Sequence, residues 1–166
     1  MMPNQTYPTI RMVISGGGTG GHLFPAIAIA QKVKELSPAS EVLFVGAEGK
    51  IEMEKVPKYV YKIEGLWISG FHRGQLLRNV NLPFKVISSL LKARRIVKSF
   101  KPQIAVGVGG YASGPLLFMA GKSGVPTLLQ EQNSYPGVTN KLLAGKAKKI
   151  CVAFPGMEKF FDKNKL

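Results

Sequence analysis

Between residues 12 and 22 an apolar run, Met12-Val-Ile, passes through Ser15 into Gly16-Gly-Gly-Thr-Gly-Gly-His22, five glycines ending on an imidazole. Glycines let backbone N–H groups approach a ligand with no Cβ in the way and permit positive φ. A helix that follows adds unpaired donors and about half a positive charge, so the ligand expected is phosphate or pyrophosphate. The pattern repeats further on. Ile104 to Val108 breaks into Gly109-Gly-Tyr-Ala-Ser-Gly-Pro115, and Thr127 to Gln130 runs into Glu131-Gln-Asn-Ser-Tyr-Pro-Gly137. Three polar or glycine-rich segments thus follow three apolar ones, and the donors of the first two could converge on one pyrophosphate.

The elements that must position these loops read as alternating strands and helices. Thr9 to Ser15, Glu41 to Val45, Tyr59 to Ile63, Ile104 to Val108 and Thr127 to Gln130 are short, apolar and bounded by Gly, Pro or charge. Phe24 to Leu36, Phe84 to Phe100, Leu116 to Ala120 and Val138 to Ala144 carry helical patterns, and Phe84, Ile87, Leu91 and Val97 predict the stripe that the longest of them packs on the sheet. Right-handed crossovers then give an α/β, Rossmann-like, doubly wound parallel sheet of six or seven strands, with all three loops on its carboxyl edge. Residues 65 to 83, with three glycines, two asparagines and Pro83, predict a long functional connection.

Composition narrows the chemistry. The 166 residues suit one domain, and 23 Lys plus Arg against 9 acids give +14, which calls for a polyanionic partner. No zinc-ligand cluster, helix-turn-helix or RNA-binding aromatic signature is present, so no nucleic acid is expected. Asp162 is the one aspartate, no Asp-x-Asp occurs, and no metal or other cofactor is expected. Cys151 reads as a buried thiol in a strand, consistent with a reducing compartment. The first residues lack the basic and apolar regions of a signal peptide, and no apolar stretch reaches the ~20 residues that span a bilayer.

Gly16, Gly18 and Gly21 also satisfy G-x-G-x-x-G, so a nicotinamide or flavin dinucleotide domain is open at this point. Its ribose acid could only be Glu48. A Walker A loop is excluded, since no Lys-Ser/Thr follows the glycines.

Taken jointly, Gly16 to His22 with Phe24-Pro25, Gly109 to Pro115, and Glu131-Gln-Asn133 followed by Gly137-Val-Thr-Asn-Lys141 resemble the three N-terminal motifs of the MurG family of bacterial peptidoglycan glycosyltransferases. The resemblance covers the whole chain and departs at Gln130, where the enterobacterial pattern has histidine. It implies an inverting, metal-independent enzyme of two-domain GT-B architecture. Such an enzyme moves N-acetylglucosamine from UDP-GlcNAc to the muramoyl C4 hydroxyl of undecaprenyl-pyrophosphoryl-MurNAc-pentapeptide, turning lipid I into lipid II at the cytoplasmic face of the inner membrane. Residues 1–166 would form the acceptor-binding domain, inactive without the C-terminal UDP-sugar domain, which could also be the other half of a split transferase.

By position, the resemblance makes His22 the candidate general base, a role that imidazoles suit near neutral pH, and makes Glu131 a second catalytic candidate or else a carboxylate orienting its loop. It places Thr19, Gly20, Gly21 and Asn133 on the UDP-GlcNAc side. Gly17, Gly18, Gly109, Gly110, Tyr111 and Ser113 fall on the acceptor pyrophosphate side. A polyprenyl acceptor implies peripheral docking on an anionic membrane, for which Leu76, Leu77 and Phe84 supply apolar surface and Arg78 and Lys85 positive charge. A non-catalytic membrane scaffold would explain the charge but gives the glycine loops no purpose.

Overall fold

The structure, a computed structural model, describes residues 7–70 and 80–166. Six strands form one wholly parallel sheet: β1 (Arg11–Gly16), β2 (Glu41–Ala47), β3 (Lys62–Leu66), β4 (Ile104–Gly109), β5 (Thr127–Glu131) and β6 (Lys149–Val152). Their order is β3-β2-β1-β4-β5-β6, so the direction of winding reverses between β1 and β4, where doubly wound folds bind their ligands. The helices are α1 (Gly20–Leu36), α2 (Ile51–Lys55), α3 (Leu82–Phe100), α4 (Ser113–Lys122) and α5 (Val138–Ala144).

Strand residues divide by parity between two cores. Met12, Ile14, Phe44, Val106 and Val108 pack under α1 with Leu23, Ala26, Ile27 and Ala30. Val13, Val45, Ala105 and Leu129 face α3, α4 and α5 with Ala93, Ile96, Leu116, Leu117 and Leu143. This alternation is the two-residue side-chain period of a strand covered on both faces.

Several boundaries differ from the sequence expectation. Helix α1 begins at Gly20 rather than Phe24, because Gly20 and Gly21 continue the helical path and Leu23 N–H donates to Thr19 O at 3.1 Å. Strand β3 starts at Lys62, after a 3-10 turn over Val56–Tyr59, and α2 was not anticipated. Cys151 is exposed, since it lies on edge strand β6 and alternates with the inward Ile150.

The largest correction concerns α3. Of the expected core stripe only Val97 is buried, while Phe84, Ile87 and Leu91 are 67%, 57% and 62% exposed. The face that packs is Ser89, Ala93, Ile96 and Val97. Small side chains let α3 lie close to the layer beneath, and the Ser89 hydroxyl donates to Trp67 O at 2.9 Å. Both faces carry apolar residues at helical spacing, so periodicity alone could not choose between them.

Candidate active site

All three loops reach one cleft of about 360 Å³, lined by Gly17, Gly18, Thr19, His22, Lys50, Gly109, Gly110, Tyr111 and Gly137 to Asn140. It lies beyond the carboxyl ends of β1 and β4, at the reversal of strand order. Its ionisable lining is basic or neutral: Lys50, His22 and Tyr111, with no carboxylate among the lining residues.

The two glycine loops touch backbone to backbone. Gly110 (φ +88°) lies against the carbonyl of Gly17 so closely that a Cβ would overlap it, and a Cβ on Gly109 (φ +110°) would sit 2.7 Å from His22 Nε2. Glycine is therefore required there on two counts, left-handed backbone and contact. The His22 ring is held at its other nitrogen, Nδ1 being 3.2 Å from Thr19 Oγ1. If Nδ1 donates to that hydroxyl, Nε2 keeps its lone pair on the cleft side.

The third loop is organised by Glu131, which is 1% exposed. Its Oε1 accepts from Asn133 N–H (3.0 Å) and Asn133 Nδ2 (2.9 Å), and its Oε2 from Gly137 N–H and Asn140 Nδ2, both at 3.0 Å. Four donors on a buried carboxylate leave it no free face for proton transfer, so the geometry is that of a loop-orienting group rather than a reacting one. Asn140 also donates to Gln130 O at 3.2 Å, which fixes its amide orientation and leaves Oδ1 without a partner at the cleft wall.

Other expected contacts are redirected. Gly18 N–H donates to a carboxylate beneath the loop, Glu52 Oε2 at 2.8 Å, and is not a free donor for a ligand. Ser113 is fully buried, with Oγ 2.8 Å from Gly109 O and 3.1 Å from Ser15 O, so it ties the ends of β4 and β1 together and does not face the acceptor. Asn133 turns its amide into Glu131, and neither it nor Gly20 and Gly21, the first turn of α1, lines the cleft. Tyr111 does line it, half exposed, its ring packed on Gly70.

Lys50, Thr139, Asn140 and Glu52 were missed as site residues. The β2–α2 segment that carries Lys50 and Glu52 has only Gly46 and Gly49, a shorter glycine signal than those of the other two glycine loops. Glu48, the acid that a dinucleotide domain would need, lies 3.3 Å from Lys92 Nζ and outside the cleft lining.

Leu76, Leu77 and Arg78 lie outside the described residues. Lys85 is turned inward, donating to Ser69 Oγ at 3.0 Å with its amine 5.7 Å from the Trp67 ring centre. Phe84 is the membrane candidate that the structure leaves on the surface, joined by Ile87 and Leu91. The same outward face continues into Arg94 and Lys98, both exposed, so it is apolar near the cleft edge and basic away from it. Among the described residues no helix is long and apolar enough to cross a membrane.

Residues 12–152 match the model of the glycosyltransferase family 28 N-terminal domain. The chain belongs to glycosyltransferase family 28. Within this family it is 63% identical over 157 residues to the UDP-N-acetylglucosamine–N-acetylmuramyl-(pentapeptide) pyrophosphoryl-undecaprenol N-acetylglucosamine transferase of Phocaeicola vulgatus, covering 95% of this chain and 42% of that protein. The Cytophaga hutchinsonii transferase of the same name is 59% identical over 165 residues, 99% of this chain and 44% of its own. The crystal structure of Acinetobacter baumannii MurG superposes with a TM-score of 0.78 at 32% identity, over 89% of this chain and 42% of that one. The chain thus corresponds to the N-terminal part of these family 28 enzymes and spans about two fifths of their length.

Proposed function

We propose that this chain is the acceptor-binding half of a family 28 transferase that moves N-acetylglucosamine from UDP-GlcNAc to the muramoyl hydroxyl of a polyprenyl-pyrophosphate-linked acceptor. The observation that carries the reading is the acid-free cleft where two glycine loops and the Glu131 loop meet, beside His22 and Lys50. A diphosphate there meets glycine backbone without Cβ atoms and the Lys50 amine, while the carboxylate beneath the loop, Glu52, is buried with one oxygen bonded to Gly18 N–H.

In this reading His22 Nε2 takes the proton of the acceptor hydroxyl as its oxygen attacks C1 of the donor sugar. The C1–O bond to UDP breaks and the diphosphate leaves with the electron pair. Thr19 holds the imidazole by Nδ1. Glu131 is a positioning residue, shaping the wall formed by Gly137 to Asn140. The donor is held by the part of the enzyme that the longer relatives have and this segment does not supply.

Peripheral docking on an anionic membrane is supported by the outward face of α3, where Phe84, Ile87 and Leu91 are exposed. Its exposed apolar half begins at the cleft edge of the sheet, since helices run antiparallel to the strands, and its basic half lies within reach of lipid phosphates. Each base near an anionic leaflet contributes about 1 kcal/mol.

Calorimetric titration with a short-chain acceptor analogue, UDP-GlcNAc and NADH tests the function. Saturable acceptor binding with weak UDP-GlcNAc binding is expected, whereas NADH binding without acceptor binding would make this a dinucleotide domain. For the membrane, co-sedimentation with phosphatidylglycerol vesicles should fall at least fivefold when Phe84, Ile87 and Leu91 are all changed to Ser; unchanged co-sedimentation refutes docking through α3.

A further inference from the structure

Glu52 is 1% exposed and lies directly beneath the first glycine loop. Its two oxygens divide between two chain segments: Oε2 accepts from Gly18 N–H at 2.8 Å and Oε1 from Ala47 N–H at 2.9 Å. The space it occupies exists because two neighbours have no side chain, since a Cβ on Gly17 would overlap its carboxylate and a Cβ on Gly46 would overlap Cγ. Gly18 itself is in the left-handed region (φ +83°) with open space where its side chain would be, so sterics do not dictate that conformation. The side-chain partner of its amide is Glu52 Oε2.

A buried carboxylate is costly unless its oxygens are satisfied, and bonds from amides to a charged acceptor are about twice as strong as neutral ones. Glu52 therefore has one low-energy position, and so has the amide that binds it. Turning Gly18 N–H downward aims the rest of the loop: the Gly17 carbonyl meets Gly110, and Thr19 presents its hydroxyl to His22. Two residues upstream on the same connection, Lys50 lines the cleft that the loop floors. We infer that Glu52 is the positioning residue of the anion site, holding the glycine loop from below in the shape that receives a diphosphate while its own connection brings Lys50 to the ligand. The diphosphate part of this inference rests on the function proposed above.

The test uses the isotopically labelled chain and its Glu52→Gln variant, which has the same shape but turns an NH2 toward one of the two amides. Gly18 is followed by its amide proton shift and hydrogen exchange, and binding by titration with inorganic pyrophosphate and, separately, the short-chain acceptor analogue. In the unaltered chain the Gly18 amide should be downfield and protected. In the variant it should move upfield by roughly 0.5 ppm or more and exchange at least tenfold faster, and pyrophosphate should bind at least tenfold more weakly, with a cooperative melt retained. An unmoved Gly18 amide, or pyrophosphate affinity within twofold of the original, overturns the inference. If Glu52→Gln does not fold, Glu52→Asp, too short to reach both amides, is read in the same way. An unprotected Gly18 amide in the unaltered chain overturns the inference without any variant. Binding of pyrophosphate but not of the acceptor analogue would refute the proposed function and leave Glu52 in its role; binding of neither would refute the anion site, and with it the inference.

Discussion

Two carboxylates, Glu131 and Glu52, are each 1% exposed, and each holds one wall of the same cleft. Glu131 does so locally, all four of its donors lying within nine residues of it in the chain. Glu52 binds one amide five residues away and another thirty-four residues away. A locally satisfied carboxylate makes its own loop rigid. A carboxylate that bridges distant segments makes one loop depend on another, so the β1–α1 loop can be disturbed from α2 without touching the cleft.

The largest effect that this comparison predicts is on stability, at Glu131. In Glu131→Gln an NH2 replaces one oxygen before donors that need acceptors, and each buried group left unpaired costs ~1–3 kcal/mol. A loss of about 4 kcal/mol is expected, lowering Tm by roughly 10 °C for a domain of this size. A Tm drop of under 3 °C, measured by circular dichroism, would show that the loop does not depend on its carboxylate.

The glycine loops come next. Gly110→Ala combines left-handed strain with overlap on the Gly17 carbonyl, together about 3 kcal/mol. Gly18→Ala has the strain but open space, about 1 kcal/mol. Urea unfolding of the two variants should rank them in that order. Equal losses would mean that the loops do not bear on each other as the structure places them.

The contrast also explains what was legible in the chain. Gly16 to His22, Gly109 to Gly114 and Glu131 to Gly137 are contiguous, and each follows an apolar strand, so their place on one sheet edge follows from alternation alone. The two-sided core follows from the same pattern, whereas the order β3-β2-β1-β4-β5-β6 does not, because the same alternation fits more than one doubly wound order. Glu52 could not be found that way, because nothing within a few residues of it marks a carboxylate that faces Gly17 and Gly46. Ser113 was legible as a loop residue but not as a buried one. Its inward turn depends on the distance between the ends of β1 and β4, which is a property of the assembled sheet. The α3 stripe failed for a different reason: the larger apolar residues suggest the core, yet the packed face is chosen by how closely Ser89 and Ala93 let the helix approach.

Lys50 gives the smallest predicted effect and the sharpest separation of the two kinds of residue. It is exposed, lines the cleft, and has no buried group depending on it. Lys50→Ala should therefore leave Tm within about 1 °C. An exposed amine near a bound diphosphate contributes on the order of 1 kcal/mol, so affinity for pyrophosphate should fall about fivefold. That loss should shrink as salt is raised through ~0.15 M, because the interaction is screened. Lys50→Arg keeps the charge and should recover most of the affinity. Glu131→Gln should show the opposite division, a large change in Tm, and its loss of affinity should not depend on salt. If Lys50→Ala instead lowered Tm by several degrees, the amine would be holding the β2–α2 connection in place, and the cleft would have to attract its anion through backbone donors alone.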